Sequence, residues 1–162
     1  MNLVQFFPLA VFQWCQHTAI GAYVEHSTWV FAITETIHII CLSILLGATL
    51  LLDLRLLGKG MTRESIVTLS QTIRPWIWST FVGLVITGIV MFNSEAVKMS
   101  RNRGFFLKVI FLLLAVLFQL TIHRRVTSSN KSEGSGSAKL AATLSLCCWL
   151  GVALAGRSIA FF

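Results

Sequence analysis

Residues 29–52 read WVFAITETIHIICLSILLGATLLL. A helix needs about 20 apolar residues to cross a hydrocarbon core of ~30 Å. This run supplies them, with Glu35 and His38 as its ionisable side chains. Three further stretches have the same character, about 76–92, 105–122 and 140–161. The fold class that follows is all-α: an integral membrane four-helix bundle over residues 29–162, preceded by an N-terminal amphipathic interfacial segment over residues 1–28.

Composition agrees with that reading. Hydrophobic residues make up 56% of the 162 and charged residues 12%, against roughly 25% charged in a soluble domain. A soluble enzyme and a disordered chain are both excluded. Gly58-Lys59-Gly60 ends the first helix. Pro75 is expected to open the second, since its missing N–H costs nothing in a first turn. Trp76 and Trp78 then fall in the interfacial aromatic belt. Ser128 to Ser137 reads as a flexible linker by composition. The segment ahead of Trp29 carries Leu3, Phe6, Phe7, Leu9, Phe12 and Trp14, broken by Pro8. It has no basic start and no small-residue cleavage site, so it is read as one or two short helices lying on the membrane.

The chain has 13 Lys+Arg against 6 Asp+Glu, a net charge of +7. Arg55, Lys59, Arg63 and Arg74 lie in the loop after the first span, and Arg124, Arg125, Lys131 and Lys139 in the loop after the third. The other side has Lys98, Arg101 and Arg103. Cytoplasmic loops carry the basic excess, so both termini are expected outside, in the periplasm of a bacterial inner membrane. Loop topology accounts for the surplus without nucleic acid. The four cysteines read as free thiols, three of them in apolar runs.

Charges within a bilayer cost ~2.5–3.5 kcal/mol each on insertion scales and call for a function. Glu35 and His38 are three apart and share a helix face. At a rise of ~1.5 Å per residue they lie about 9 and 13 Å below Trp29. Lys108 enters the third span from the same outer side, and its face continues through Ala115 to Gln119. Arg157 approaches the outer end of the fourth span. Ser79, Gly83, Thr87 and Gly88 make the second span a small-residue face that allows close approach.

Glu35 supplies one negative charge against the two positive charges of Lys108 and Arg157. An anionic ligand balances the site, and haem b is the natural candidate. Lys108 and Arg157 would meet its propionates and His38 its iron. Glu35 would accept the other ring N–H of His38. His123, at the inner end of the third span, is a weaker iron ligand for a second haem, too far inward to share an iron with His38. Cys15, His17 and His26 show no recognised metal-ligand spacing. Asp53 and Arg55, two apart, are read as architecture at the inner end of the first helix.

TETIH (34–38), LGA (46–48) and LDLRLLG (52–58) carry a resemblance to an uncharacterised family of small four-helix bacterial membrane proteins. It continues through Pro75-Trp76, Thr87-Gly88, FLK (106–108), His123, Trp149 and GRSIA (156–160). More remotely, a His in the first span followed by a Lys opening the third and a His at its end is similar to the HemJ-type membrane protoporphyrinogen oxidases. That likeness implies haem b and a functional pair at His38 and Lys108. The histidine-bearing bundle is also similar to CopD-type membrane proteins, which would imply copper at His38, Cys41 and Met91.

Three readings therefore stand together. The first is a haem b electron-transfer protein working with a quinone or redox partner. The second is a non-catalytic subunit of a larger membrane complex. The third is a small transporter, built as a homo-oligomer, with Glu35, His38 and Lys108 as a proton relay. No nucleophile, base and orienting group occur together, so hydrolase chemistry is not supported.

Overall fold

The computed structural model describes residues 8–60, 63–123 and 135–159. Among them every regular element is helical. Two short helices, α1 (Leu9–Gln16) and α2 (Ala19–His26), precede the long α3 (Thr28–Leu56) and α4 (Ile66–Ser94). A short α5 (Ala96–Arg101) leads to α6 (Arg103–Phe118), which ends in a π-helical turn, Gln119–His123. The last helix is α7 (Gly136–Ser158). Four of these, α3, α4, α6 with its turn, and α7, are long and apolar enough to cross a membrane.

Each boundary has a local cause. The Ser65 hydroxyl accepts from Thr68 N–H at 3.1 Å and starts α4. Ser135 does the same for Ala138 at 3.2 Å and starts α7. At the end of α3, Gly58 takes a φ of +73°, and Lys59 N–H donates back to the Leu54 carbonyl at 2.9 Å. This is the left-handed stop that glycine adopts without strain. Arg55 Nε then donates to the Glu64 carbonyl at 2.8 Å, tying the helix end to the following loop.

Two sequence expectations are corrected here. Pro75 does not open the second helix; it lies inside α4, which begins at Ile66. The reason is the row Ile66, Leu69, Ile73, Ile77, which buries one face against Leu52 and Leu56 of the core and carries the helix through the proline. At ~1.5 Å per residue, Trp76 to Ser94 spans about 27 Å, so the first turns of α4 extend beyond a membrane-thick segment. The linker read up to Ser137 is also too long: Ser135 caps α7, and Gly136 and Ser137 are its first turn. The part of that linker before Ser135 lies outside the described residues. The connection after α4 holds α5.

The helices form two antiparallel pairs, α3 on α4 and α6 on α7, joined mainly where α3 meets α7. Apolar tails gain little from leaving lipid for protein, so membrane helices associate through close packing of small residues. Ala48, Ala115, Ala138, Ala142, Leu45, Leu52 and Trp149 pack together in the half of the bundle nearer the α3–α4 connection, called the inner half for reference. Outward, Val82, Ile86 and Ile89 of α4 and Leu113 and Leu117 of α6 stand exposed. An apolar exterior of this extent belongs against lipid.

The opposite end, which carries α1, α2 and α5 and is called the outer end for reference, is organised differently. Helix α2 packs on α4, and α1 on α5. Phe12 is buried edge-on to Phe92, centroids 6.3 Å apart, and Phe92 stacks on Phe105 at 5.4 Å. The segment ahead of the first span is thus a helical hairpin with one face on the bundle. Trp14, Ile20 and Tyr23 face away. Residues 1–7 lie outside the described residues.

Candidate functional site

The two helix pairs separate in the outer half and enclose an open cavity of about 1770 Å³. Pockets for drug-sized ligands run to roughly 1,000 Å³, so this one admits a large planar or amphiphilic ligand. Its deep wall is apolar, with Leu42, Leu84, Leu112 and Val152. Glu35, His38, Lys108 and Arg157 line it as well, together with Lys98 and Arg101 of α5. The cavity therefore grades from an apolar floor to a charged outer level, where cations outnumber Glu25, Glu35 and Glu95. Lys98 is held 2.9 Å from Glu95.

Of the two titratable α3 residues that line the cavity, Glu35 and His38, His38 lies deeper and is buried, 7% exposed. Its Nδ1 lies 2.9 Å from Thr87 Oγ1 on α4. Thr87 Oγ1 is itself 2.7 Å from the Gly83 carbonyl and 3.2 Å from that of Leu84. Gly88 lies beside the imidazole, where a Cβ would stand at ordinary contact distance, 3.5 Å from His38 Cε1.

The expected acceptor of the His38 ring N–H, Glu35, is not the one used. The α3–α4 contact turns the ring onto Thr87, while Glu35, one turn outward, stays exposed on the cavity wall. Thr87 was visible in the sequence only as a small residue on a close-packing face. Its one signal was a hydroxyl on the row Ile77, Thr80, Leu84, Thr87, which α4 buries.

Lys108 is half-buried and reaches across to α7, where its stem runs along Gly156. Arg157 follows Gly156 in the chain, so both cations belong to the same wall. The Lys108 charge bears electrostatically on His38. Asn102 fixes the outer end of this wall. Its Oδ1 accepts from Phe105 N–H at 3.1 Å, and its Nδ2 donates to the Ile159 carbonyl at 2.9 Å, linking the start of α6 to the end of α7.

Above the cavity, Gln16 bridges three elements. Its Nε2 donates to Glu25 Oε1 at 3.3 Å, and its Oε1 accepts from Val97 N–H of α5 at 3.2 Å. Gln119, on the same stripe as Lys108, points elsewhere. It lines a separate cavity of about 20 Å³ with Leu45, Ile77 and Trp149, in the inner half. His123 closes the π-helical turn at the inner end of α6, and its side chain lies outside the described residues.

The copper trio is not assembled. Cys41 Sγ is turned onto α4 at Gly83, where a Cβ would lie 2.9 Å from it. His38 and Met91 line the cavity. Among the described residues no group of three or more His, Cys, Asp or Glu is placed to hold a metal ion.

These features define a class: an all-α, multi-pass membrane protein with a charged cavity in one half of its bundle. The chain belongs to the family of unknown function DUF6644, whose family model matches residues 11–162. No curated protein and no solved structure gives a significant match.

Proposed function

We propose that this chain is a haem b protein of the bacterial inner membrane that passes electrons between its haem and a quinone or a redox partner, with both termini in the periplasm. The observation that carries the reading is that His38, Lys108 and Arg157 share the wall of one cavity large enough for a porphyrin. A bare metal ion needs a cluster of side chains, which the described residues do not provide. A porphyrin carries most of its metal's donors itself and would need His38 alone from this wall.

The residues fit such a group. His38 would ligate iron, and Lys108 and Arg157, on the same cavity wall, would be the counter-charges of the propionates. Glu35 would tune the charge at the same level. Leu42, Leu84, Leu112 and Val152 would keep water from the ring faces. When bound, haem b supplies a one-electron couple, and the surrounding burial and charge set its potential. The order of His38 and Lys108 along the chain, which resembles that read in HemJ-type proteins, points to the same pair.

The test is the visible spectrum of detergent-purified protein from haem-replete cells, oxidised and dithionite-reduced, beside His38→Ala. A Soret band with reduced α and β bands, lost in the variant, is expected. A colourless wild-type protein overturns the reading and leaves a structural subunit or a transporter.

A further inference from the structure

We infer that Thr87 is a positioning residue: it holds His38 as the neutral Nδ1–H tautomer and leaves Nε2 as the ring nitrogen with a free lone pair. The inference deepens the haem reading and rests on it for its use, though its geometry stands alone.

A threonine hydroxyl has one proton to give. The Gly83 carbonyl, 2.7 Å away, and the Leu84 carbonyl, 3.2 Å away, can only accept, and they take it. The oxygen that faces His38 Nδ1 at 2.9 Å is therefore offering lone pairs. A bare Nδ1 there would set lone pair against lone pair. The contact is favourable when Nδ1 carries hydrogen. A neutral imidazole has a single N–H, so Nε2 is bare and able to take a metal centre.

The partner that orients a ligating histidine is usually a carboxylate or a carbonyl. Here α4 supplies a hydroxyl already committed to its own backbone, which acts as a one-way acceptor. Buried at 8% exposure, Thr87 is shielded from competing water. Threonine and valine have nearly the same shape, so Thr87→Val removes the acceptor with little change in packing. Thr87→Ser keeps it.

The test is nitrogen NMR on protein labelled with 15N-histidine and prepared without haem in detergent. The His38 signals are assigned by their loss in His38→Gln. Wild type and Thr87→Ser are expected to show His38 with Nδ1 protonated and Nε2 bare, and Thr87→Val a mixture of tautomers. Haem titrated into the same samples is expected to bind Thr87→Val about 10–100-fold more weakly, the usual effect of removing such a partner. A wild-type His38 carrying its proton on Nε2 overturns the inference even if haem binds. So does an unchanged tautomer in a folded Thr87→Val. A fixed Nδ1–H tautomer without haem uptake in any sample supports the role of Thr87 and overturns the haem reading. If Thr87→Val fails to fold, the wild-type tautomer alone decides.

Discussion

The Lys108 side chain lies along Gly156: a Cβ at that position would stand 3.7 Å from Lys108 Cδ and Cε and 3.8 Å from Nζ. The absent side chain on α7 is the channel in which the cation lies. One methyl group fits at ordinary contact distance, whereas a branched side chain would occupy the lysine's own volume. Gly156→Ala should therefore raise the thermal midpoint in detergent, since alanine is favoured over glycine in a helix by about 1 kcal/mol, and should keep haem uptake. Gly156→Leu should cost about 1–3 kcal/mol through overpacking and displace Lys108. Equal haem affinity in both variants would show that the position of Lys108 does not matter.

The charge itself is tested by Lys108→Met, which keeps the stem and removes the ammonium. If Lys108 meets a propionate in the cavity, losing one partner of a buried charge pair costs about 2–5 kcal/mol. Haem affinity should fall roughly 30-fold or more, measured by titration against the Soret band. Arg157→Met should act in the same direction. A fold-neutral Lys108→Met with unchanged affinity would remove Lys108 from the site.

Much of this site could be seen in the sequence, because hydropathy and helical rise report depth well. Glu35, His38, Lys108 and Arg157 were all placed at the outer level by counting residues from the span ends, and one cavity collects all of them. Depth says little about direction around a helix when both lipid-facing and core-facing residues are apolar. Hence the partner of His38 was assigned to Glu35, its neighbour along α3, when Thr87 on the facing helix takes that place. The proline at 75 misled for a related reason. Local chemistry favours it at a helix start, but the buried row from Ile66 to Ile77 holds the helix through it. Likewise the N-terminal aromatic residues suggested a segment lying on lipid, and only the packing of Phe12 on Phe92 reveals that one face docks on the bundle.

The α6–α7 seam gives a prediction free of any ligand. A Cβ on Gly151 would lie 2.6 Å from Phe111 Cδ1 and 2.8 Å from Cε1, closer than atoms can approach. The ring packs against the core, and its stiff side chain has less freedom to swing away than a lysine tip. Gly151→Ala should cost about 1–3 kcal/mol, seen as a lowered midpoint in detergent. Phe111→Leu should recover part of that loss in the double variant, because the two positions touch and their effects should not add. Additive losses would place the strain elsewhere.

Orientation is tested by cysteine accessibility in a background with Cys15, Cys41, Cys147 and Cys148 replaced. The basic loops after α3 and before α7 are expected on the cytoplasmic side. In intact cells, Lys98→Cys on α5 should react with a membrane-impermeant maleimide and Lys59→Cys should not. Reversed labelling would turn the molecule over and put the cavity on the cytoplasmic side.

The last prediction concerns the hairpin that covers the cavity. Gly21 of α2 meets backbone on two sides: a Cβ there would lie 2.5 Å from the Gln16 carbonyl oxygen and 2.9 Å from that of Asn93 on α4. Both carbonyls belong to the last turns of their helices, α1 and α4, so making room for a Cβ means shifting backbone rather than a side-chain tip. Gly21→Ala should therefore lift α2 from α4 and take with it the Gln16 side chain, which bridges Glu25 and Val97. The four long helices pack on one another through the inner half and do not depend on that contact. The variant should thus keep its helical circular dichroism while amide hydrogens of residues 9–26 and 96–101 exchange faster, as a locally opened unit does. Exchange that is unchanged in those segments would mean that the hairpin is held by Phe12 and the aromatic stack alone. A global loss of protection would mean that the outer hairpin and the bundle fold as one unit.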